Sequence, residues 1–306
     1  MTPLSKPCIC ITTYQREALL QNLLATLVKQ TTKPYCVLVV DNASQSNVKT
    51  ITESFKGGLN VVYHHEPSQG VVFARNRCVS EFLSTDSDAL VWIDDDEWPE
   101  HEHWLENLLL VQAKTQADVV CSDVISQPED SNKQFLAKAL YAKPLAQDDA
   151  QPVRYFYTNN TLICRHVIEQ VGLFDLQFNL TGSEDFDYCL RAKQAGFSCV
   201  YAQNAKVIEL HPDNRSQLRW FALRGIRLGQ GATRVNLKQY GGLKTWLLAP
   251  IFFGYRLLDS LKLLLKGVWY QDKGLLFAAT LRFCSSIGTV MGLFGFKYQE
   301  YQKSKY

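Results

Sequence analysis

The sequence contains no GxxxxGK[ST] run and no GxGxxG after a strand-like segment, so neither glycine-rich way of cradling a phosphate is available to it. It has no CxxC pair and no Cys/His spacing of the kind that holds zinc, and its nine cysteines are an odd number. Cys8 and Cys10 fall two apart in a strand-like run, where a small buried hydrophobe is the expected role. This usage suits a reducing cytoplasm. The opening "MTPLSKPCICITTY" lacks the apolar length of a cleavable signal and runs straight into folded-domain pattern. The apolar stretches "WLLAPIFFGY" and "LLFAATLRFCSSIGTVMGLFGF" fall short of a clean span of about 20 apolar residues. Pro250, Arg256, Arg282 and several small or polar residues interrupt them. No internal repeat is visible.

Acidic residues are scarce in one region only. From Asn214 onward there are 15 Lys and Arg against 3 Asp and Glu, a balance of +12, whereas up to Asp213 there are 17 against 27, a balance of −10. The net charge of +2 hides this split. An acidic body joined to a basic tail implies two jobs, and the partner expected for the tail is anionic.

What is present is a globular composition, 46% hydrophobic and 20% charged over 306 residues, enough for one large α/β domain with an appendage. Strand and helix patterns alternate through the first two hundred residues. "CICIT", "VLVVD", "NVVYH", "ALVWID" and "DVVCSD" read as strands; "EALLQNLLATLVKQ", "GVVFARNRCVSEFL" and "HEHWLENLLLVQAK" read as helices. Leu19, Leu20, Leu23, Leu24 and Leu27 share one face of the first helix. Continuous Val/Ile/Leu strands separated by helices predict a mostly parallel sheet covered on both faces. Ligands bind at the carboxyl ends of strands in such sheets, and those ends carry Thr12-Thr13, Asp41-Asn42 and Asp94-Asp95-Asp96. Residues 126–152, weak in pattern and rich in Pro, Gln and Asp, read as a long excursion and a candidate flap. Order returns with "YFYTNNTLICRHVIEQVGLFD", then a short helix in "GSEDFDYCLRAKQAGF" and a last strand, "AKVIELH".

"LVWIDDDEWP" sets four carboxylates, Asp94, Asp95, Asp96 and Glu97, directly behind an apolar strand. Like charges repel, so either a cation sits among them or they form a plain acidic turn closed by Pro99. An aspartyl-phosphate phosphohydrolase would place a DxD after an early strand, but Asp41 is followed by Asn42-Ala43-Ser44.

Five motifs in order decide between these readings. "ITTYQRE", "VVDNAS", "ARNRC", "DDDE" and "GSEDFDYCLR", ending with His211 after the last strand, resemble the family 2 nucleotide-sugar glycosyltransferases, of GT-A fold and inverting mechanism, over about residues 7–212. The resemblance implies that Thr12, Thr13, Tyr14 and Arg16 lie along the nucleotide. It places Asp41, with Asn42, to accept from a uracil-like base, and Arg75 near the nucleotide. It makes Asp96 a direct ligand of Mg²⁺ or Mn²⁺, with Asp94 in the metal site, His211 completing that site or touching the diphosphate, and Asp94 and Asp95 against ribose and sugar. Such an ion neutralises the departing diphosphate, which explains the excess carboxylate. The acceptor hydroxyl needs a base, for which the resemblance offers Asp185, with Glu184 as an acceptor-binding neighbour. Acidic residues in the first turn of a helix also have the plainer role of favouring its dipole. Asp187 and Arg191, four apart, are expected to form a supporting ion pair.

His101 and His103, two apart, do not share a helix face and are expected in solvent. "RSQLRW" departs from the QxxRW of processive synthases, since Gln217 and Arg219 are one residue too close, and this argues for single-sugar transfer. "RGIRLGQG" suits either phosphate binding or close helix packing. In "LLDSLKLLLKGVWY", Leu257, Leu258, Leu261, Leu264, Leu265 and Val268 form a stripe with Asp259, Lys262 and Lys266 opposite.

The sequence therefore predicts an α/β, GT-A (Rossmann-like), mostly parallel sheet flanked by helices, with a C-terminal amphipathic, apolar helical region. The expected domains are 1–213, with a nucleotide half to about 125 and an acceptor half from about 153, followed by a membrane-associating 214–306. The expected partners are a nucleotide-sugar donor, expected to be UDP-linked, a saccharide or lipid-linked acceptor and an anionic membrane surface, with no nucleic acid; an oligomer is compatible. The expected location is the inner face of the cytoplasmic membrane, held peripherally, in lipopolysaccharide, O-antigen or capsule assembly. A metal-dependent nucleotidyltransferase and an inactive membrane-bound scaffold are the competing readings.

Overall fold

In the computed structural model, which describes residues 4–140 and 145–296, strands β1 (Pro7–Thr13) and β2 (Cys36–Asp41) are buried on both faces along nearly their whole length. That is why they read as unbroken apolar runs and not as alternating ones. Between them α1 (Glu17–Val28) buries Leu20, Leu23, Leu24 and Leu27, the stripe expected from spacing, with Leu19 half-buried at its edge. A short helix, α2 (Val48–Ser54), follows β2, with Val48 and Thr52, four apart, both turned inward. Then come β3 (Val61–His65), α3 (Val71–Leu83), β4 (Ala89–Trp92), the short β5 (Glu97–Pro99), α4 (Trp104–Thr115) and β6 (Val119–Cys121).

The expected excursion at 126–152 carries structure. It contains most of β7 (Val124–Pro128) and the helix α5 (Phe135–Leu140), while residues 141–144 lie outside the described residues. β8 (Thr161–Cys164), α6 (Arg165–Val171), α7 (Glu184–Gln194), β9 (Cys199–Tyr201) and β10 (Val207–His211) complete the α/β part. Three long helices end it: α8 (Leu218–Tyr240), α9 (Gly242–Trp269) and α10 (Lys273–Leu293).

The chain forms two compact units. The first comprises Met1–Val124, Pro144–Asn179 and Tyr188–Glu209; the second comprises Ile125–Lys143, Leu180–Asp187 and Leu210–Tyr306. In the first unit a seven-stranded sheet runs β3-β2-β1-β4-β8-β6-β9, with β8 antiparallel to both its neighbours and the other pairs parallel. All nine cysteines are free and eight are buried, which fits the role of small hydrophobes.

In the second unit α8 and α10 cross at very short range. A Cβ at Gly229 would stand 2.1 Å from the Ser285 carbonyl, and one at Gly288 would stand 2.1 Å from that of Ile226. The Thr233 hydroxyl is shared between the Gly229 carbonyl of its own helix and the Thr289 carbonyl across the seam. Close helix packing is therefore the role of Gly225 and Gly229 in "RGIRLGQG", while Gly231 leaves room for the Ser183 side chain. α5 adds Leu136 and Ala139 to a small core with Phe221, Ala278 and Leu281.

α10 corrects one expectation. By length and composition it is apolar enough to cross a membrane, with a mean hydropathy of 1.4 in its best window, although 44% of that window is buried. Ser285, Ser286 and Thr289 do not interrupt the helix, because they are buried in its seam.

The glycine seam yields a stability prediction. Gly229→Val should lower the thermal midpoint sharply, the cost of overpacking being about 1–3 kcal/mol or more. Gly241→Ala, at a site with open space around it, would be strained only by its backbone (φ +81°). Equal melting of Gly229→Val and the parent by circular dichroism would mean the helices do not meet at these glycines.

Candidate functional site

β1 lies between β2 and β4, so chain order reverses at the β1/β4 boundary, and the crevice beyond their carboxyl ends is where such a sheet binds ligands. The acidic cluster opens there. After β4 the chain turns tightly: the Glu97 N–H donates to the Asp94 carbonyl (3.1 Å), and the Asp94 N–H donates to Glu97 Oε2 (3.1 Å). β5 then pairs antiparallel with β10, which sets Glu97 opposite Glu209.

Side chains from the end of β1 reach into this turn. The Thr13 hydroxyl donates to Asp95 Oδ2 at 2.7 Å. Gln15 takes a left-handed backbone (φ +54°), and the next residue, Arg16, bridges two carboxylates from one nitrogen, 2.8 Å from Asp95 Oδ1 and 2.9 Å from Asp96 Oδ2. Arg75, on α3 and nearly buried, stands 3.5 Å from Asp94 Oδ1. Thr12 is half-buried, and Tyr14 is exposed beside the cluster's Arg16 loop.

The electrostatics are those of crowded anions. Burial pushes Asp94 up to about 7; Arg75 opposes this, and Asp96, Asp95 and Glu209 add to it. The Asp94 side chain keeps 37% exposure, so water screens part of that repulsion. Burial also raises Asp95 against the pull of Arg16, and raises Glu97 well above its ordinary value, with Asp94 and Glu209 contributing. For Arg16, burial works against the charge, but the Asp95 and Asp96 carboxylates more than offset it.

Two expected donor-binding residues are occupied by their own loops. Asp41 is fully buried; it accepts from the Ala43 N–H (2.9 Å) and from the hydroxyls of Ser46 and Tyr63. Its carboxylate closes a turn with these three donors, which leaves Oδ1 one further acceptor position. Asn42 accepts from the Gly70 N–H (2.8 Å) and donates to the Glu66 and Ser68 carbonyls (2.8 and 2.7 Å). Gly70 has φ +130°, and a Cβ there would fall 2.0 Å from Asn179 Oδ1, which itself accepts from the Val72 N–H. Asn42, Gly70 and Asn179 thus set the start of α3, the helix that carries Arg75. Gly70 and Asn179 had no visible role in the sequence, because Asn179 is 107 residues from the amide it caps.

The second unit holds the remaining candidates. Glu184 is buried at the start of α7, and Asp185 is half-buried, with Oδ1 accepting from the Phe186 N–H at 2.7 Å. The Asp187 carboxylate accepts from Lys238 Nζ (2.8 and 2.9 Å) and Gln239 Nε2 (2.6 Å) on α8, partners not anticipated beside the expected Arg191. Arg191 donates to the Val171 and Leu173 carbonyls in the first unit. His211 is buried, its Nε2 is 3.0 Å from the Arg215 carbonyl, and its ring meets Trp220 edge to face. Burial lowers its pKa, and the Arg215 and Arg224 charges add to that shift.

The chemistry of the first unit's donors fits a hard divalent ion. Asp94, Asp95 and Asp96 offer carboxylate oxygens whose mutual repulsion two arginines do not fully relieve. Among the described residues no three His, Cys, Asp or Glu side chains gather closely enough to hold a metal. Such an ion would have to complete its shell with oxygens from its substrate, the usual habit of Mg²⁺.

Comparison with known proteins agrees with this geometry. A family model described as "Glycosyl transferase family 2" matches residues 8–172. The chain is 28% identical over 247 residues to the succinoglycan biosynthesis protein ExoM of Rhizobium meliloti (strain 1021), covering 79% of each. Among solved structures it is similar to the mannosyltransferase PcManGT from Pyrobaculum calidifontis in complex with GDP-Man and Mn²⁺, with TM-score 0.65, 17% identity, 96% of this chain and 88% of that one. It is also similar to S. aureus TarS 1-349 in complex with UDP-GlcNAc, with TM-score 0.54, 14% identity, 91% of this chain and 90% of that one.

Arg16→Met should leave the Asp95 and Asp96 charges facing each other. The expected loss is about 1–2 kcal/mol of stability, discounted for the partial exposure of Arg16, and Mn²⁺ should restore part of it. A variant that melts like the parent with and without Mn²⁺ would remove Arg16 from the cluster's charge balance. The raised pKa of Glu97 gives a pH test. A folded-state pKa above the unfolded one means the folded state holds the extra proton, so stability declines as pH rises from about 4.5. Glu97→Gln, measured with chelator present, should gain on the parent steadily above that pH. A constant difference between the two from pH 4 to 8 would show Glu97 to be ionised in the fold.

Proposed function

The chain belongs to glycosyl transferase family 2 and is a glycosyltransferase of GT-A fold. From that premise we propose that it moves a single sugar, with inversion, from a nucleoside-diphosphate donor to a saccharide or lipid-linked acceptor in cell-surface glycan assembly, of the lipopolysaccharide, O-antigen or capsule kind. The observation that carries the reading is the Asp94–Asp96 turn at the β1/β4 boundary, where Thr13 and Arg16 hold carboxylates that have no structural need to be adjacent. The name of the Rhizobium relative, a succinoglycan biosynthesis protein, supports the glycan setting.

In this reading Thr12, Thr13, Tyr14 and Arg16 line the nucleotide, and Arg75, held by the start of α3, faces the diphosphate. Asp96 and Asp94 hold Mg²⁺ or Mn²⁺, which when bound offsets the charge that develops on the leaving diphosphate. Asp95, buried and held by Thr13 and Arg16, is set against ribose or sugar. Arg16 has a double role: it is the resident counter-charge of Asp95 and Asp96 before a donor arrives, and it is placed to transfer to the donor's phosphates afterwards. The acceptor hydroxyl gives its proton to Asp185, which is more accessible than its neighbours Glu184 and Asp187. Glu184 helps to position the acceptor. Asp187, neutralised by Lys238, anchors the start of α7 to α8. Asp41 would accept from a pyrimidine N–H with the acceptor position its own turn leaves, while Asn42 holds the start of α3; the two structural neighbours carry different bases, guanine and uracil.

The direct test is release of nucleoside diphosphate from a panel of nucleotide sugars with Mn²⁺, with the anomeric configuration of any product determined by NMR. Asp185→Asn should bind donor within a few-fold of the parent and transfer roughly 10²–10⁴ more slowly, the usual worth of a general base. Asp96→Asn should lose the metal response as well as transfer. A retained anomeric configuration would overturn inversion. Full activity of Asp185→Asn with a dead Glu184→Gln would move the base by one residue. Pyrophosphate as the released product would mean a nucleotidyltransferase.

A further inference from the structure

α9 is built in reverse of a helix that faces water. The residues it buries are small or polar, Thr245, Ala249, Ser260 and Gly267, and the last two face α10: the Ser260 hydroxyl donates to the Ala279 carbonyl, and a Cβ on Gly267 would strike Leu276. Its large apolar side chains point outward. Leu243 is 79% exposed, Leu247 68%, Leu265 62% and Trp269 82%, with Ile251 and Leu258 between them. α10 repeats the pattern, burying glycines, alanines and serines while Phe283, Val290 and Phe294 are exposed. Monomeric soluble proteins rarely leave so long an apolar stripe in water, whereas small-residue seams with large residues outside suit helices packed in lipid.

The surroundings of the stripe say what covers it. At 100° per residue, Leu243, Leu247, Leu258, Leu261, Leu265 and Val268 share one side of α9, and Lys244, Lys262 and Lys266 run along its flank. Lys262 and Lys266 are exposed and border the leucines directly, which refines the expectation that they lie opposite. Trp246 near one end, and Trp269 and Tyr270 at the other, are the amphipathic rings favoured at a membrane–water boundary. The region carries 15 basic residues against 3 acidic. A second copy of this chain would bring the same positive flank to the interface, so charge disfavours self-association and favours an anionic partner.

We propose that the outer face of α9 docks on the bilayer, lying in the plane of an anionic leaflet and not crossing it. A helix of 28 residues is about 42 Å long, more than the hydrocarbon needs. Spanning would also draw Arg256, Asp259 and Lys262 into the apolar core. In the plane, the leucines enter the acyl boundary and the flanking lysines reach the headgroups. The inference rests on this surface alone and stands or falls apart from the sugar-transfer reading.

The test is flotation of the full chain with vesicles of equimolar phosphatidylglycerol and phosphatidylcholine, against phosphatidylcholine alone. The parent should float with the anionic vesicles and bind roughly tenfold more weakly to the neutral ones or at high salt. Two double variants separate the contributions: Leu258→Asp with Leu265→Asp, and Lys262→Glu with Lys266→Glu. All four positions are exposed, so both should keep the parent's helical circular dichroism. Each should lose about tenfold or more of the anionic-vesicle binding. Parent-like flotation of the leucine variant would overturn the proposal. So would failure of the parent to float, together with a stable parent dimer by light scattering that the leucine variant converts to monomer; the face would then be an interface between copies. Nucleoside-diphosphate release measured in solution on the same variants reports on the transfer reading separately.

Discussion

Repulsion among the carboxylates after β4 is the constraint around which the first unit is arranged. Asp94, Asp95 and Asp96 occupy the one crevice where strand order reverses, and nothing in the packing of the sheet requires them there. Adjacent charges are costly in partly buried surroundings, and the structure answers with fixed donors: Thr13 and Arg16 from the end of β1 and Arg75 from α3. These hold the carboxylates in place. Burial and the neighbouring carboxylates raise the pKa of Asp94 and of Glu97.

Holding Arg75 in that balance takes a second tier of residues. Asn42 fixes the loop before Gly70, Asn179 fills the space a Cβ at Gly70 would need, and together they set the first turn of α3. Asp41 supports the same corner by closing its own turn. Residues at strand ends in this sheet thus divide into those that face the crevice and those that hold its walls, though both kinds are polar. The basic helices follow a different logic. Glycine and serine seams bring α8, α9 and α10 close, and the large side chains that would fill a core in water are left outside.

Much of the fold was legible in the sequence because burial on both faces leaves continuous apolar runs, as in "CICIT" and "VLVVD", and an amphipathic helix leaves a stripe, as in Leu20, Leu23, Leu24 and Leu27. Less legible were α2 and α5, where one turn or two of helix buries only a couple of side chains and the remaining residues are polar. The acidic turn was visible as an anomaly of charge. Its partners were not, since the Arg16–Asp95 contact joins residues 79 apart and periodicity carries no information at that distance. Local spacing was also incomplete at Asp187: it offered Arg191, four residues on, and could not show Lys238, 51 residues away.

By itself the sequence determined the α/β class, the order of the strands along the chain, the concentration of carboxylate after β4 and the basic character of the last ninety residues. These are properties of local pattern and composition, and no neighbour in space is needed to read them. Tertiary structure decided which polar strand-end residues face the crevice and which serve the walls, because that depends on donors brought from distant segments: Gly70 to Asn42, Arg16 to Asp95, Lys238 to Asp187. It also decided the meaning of the tail. A leucine stripe reads alike whether it faces protein or solvent, and only the close approach permitted by Gly229, Gly267 and Gly288 assigns the small residues to the inside and turns the leucines out.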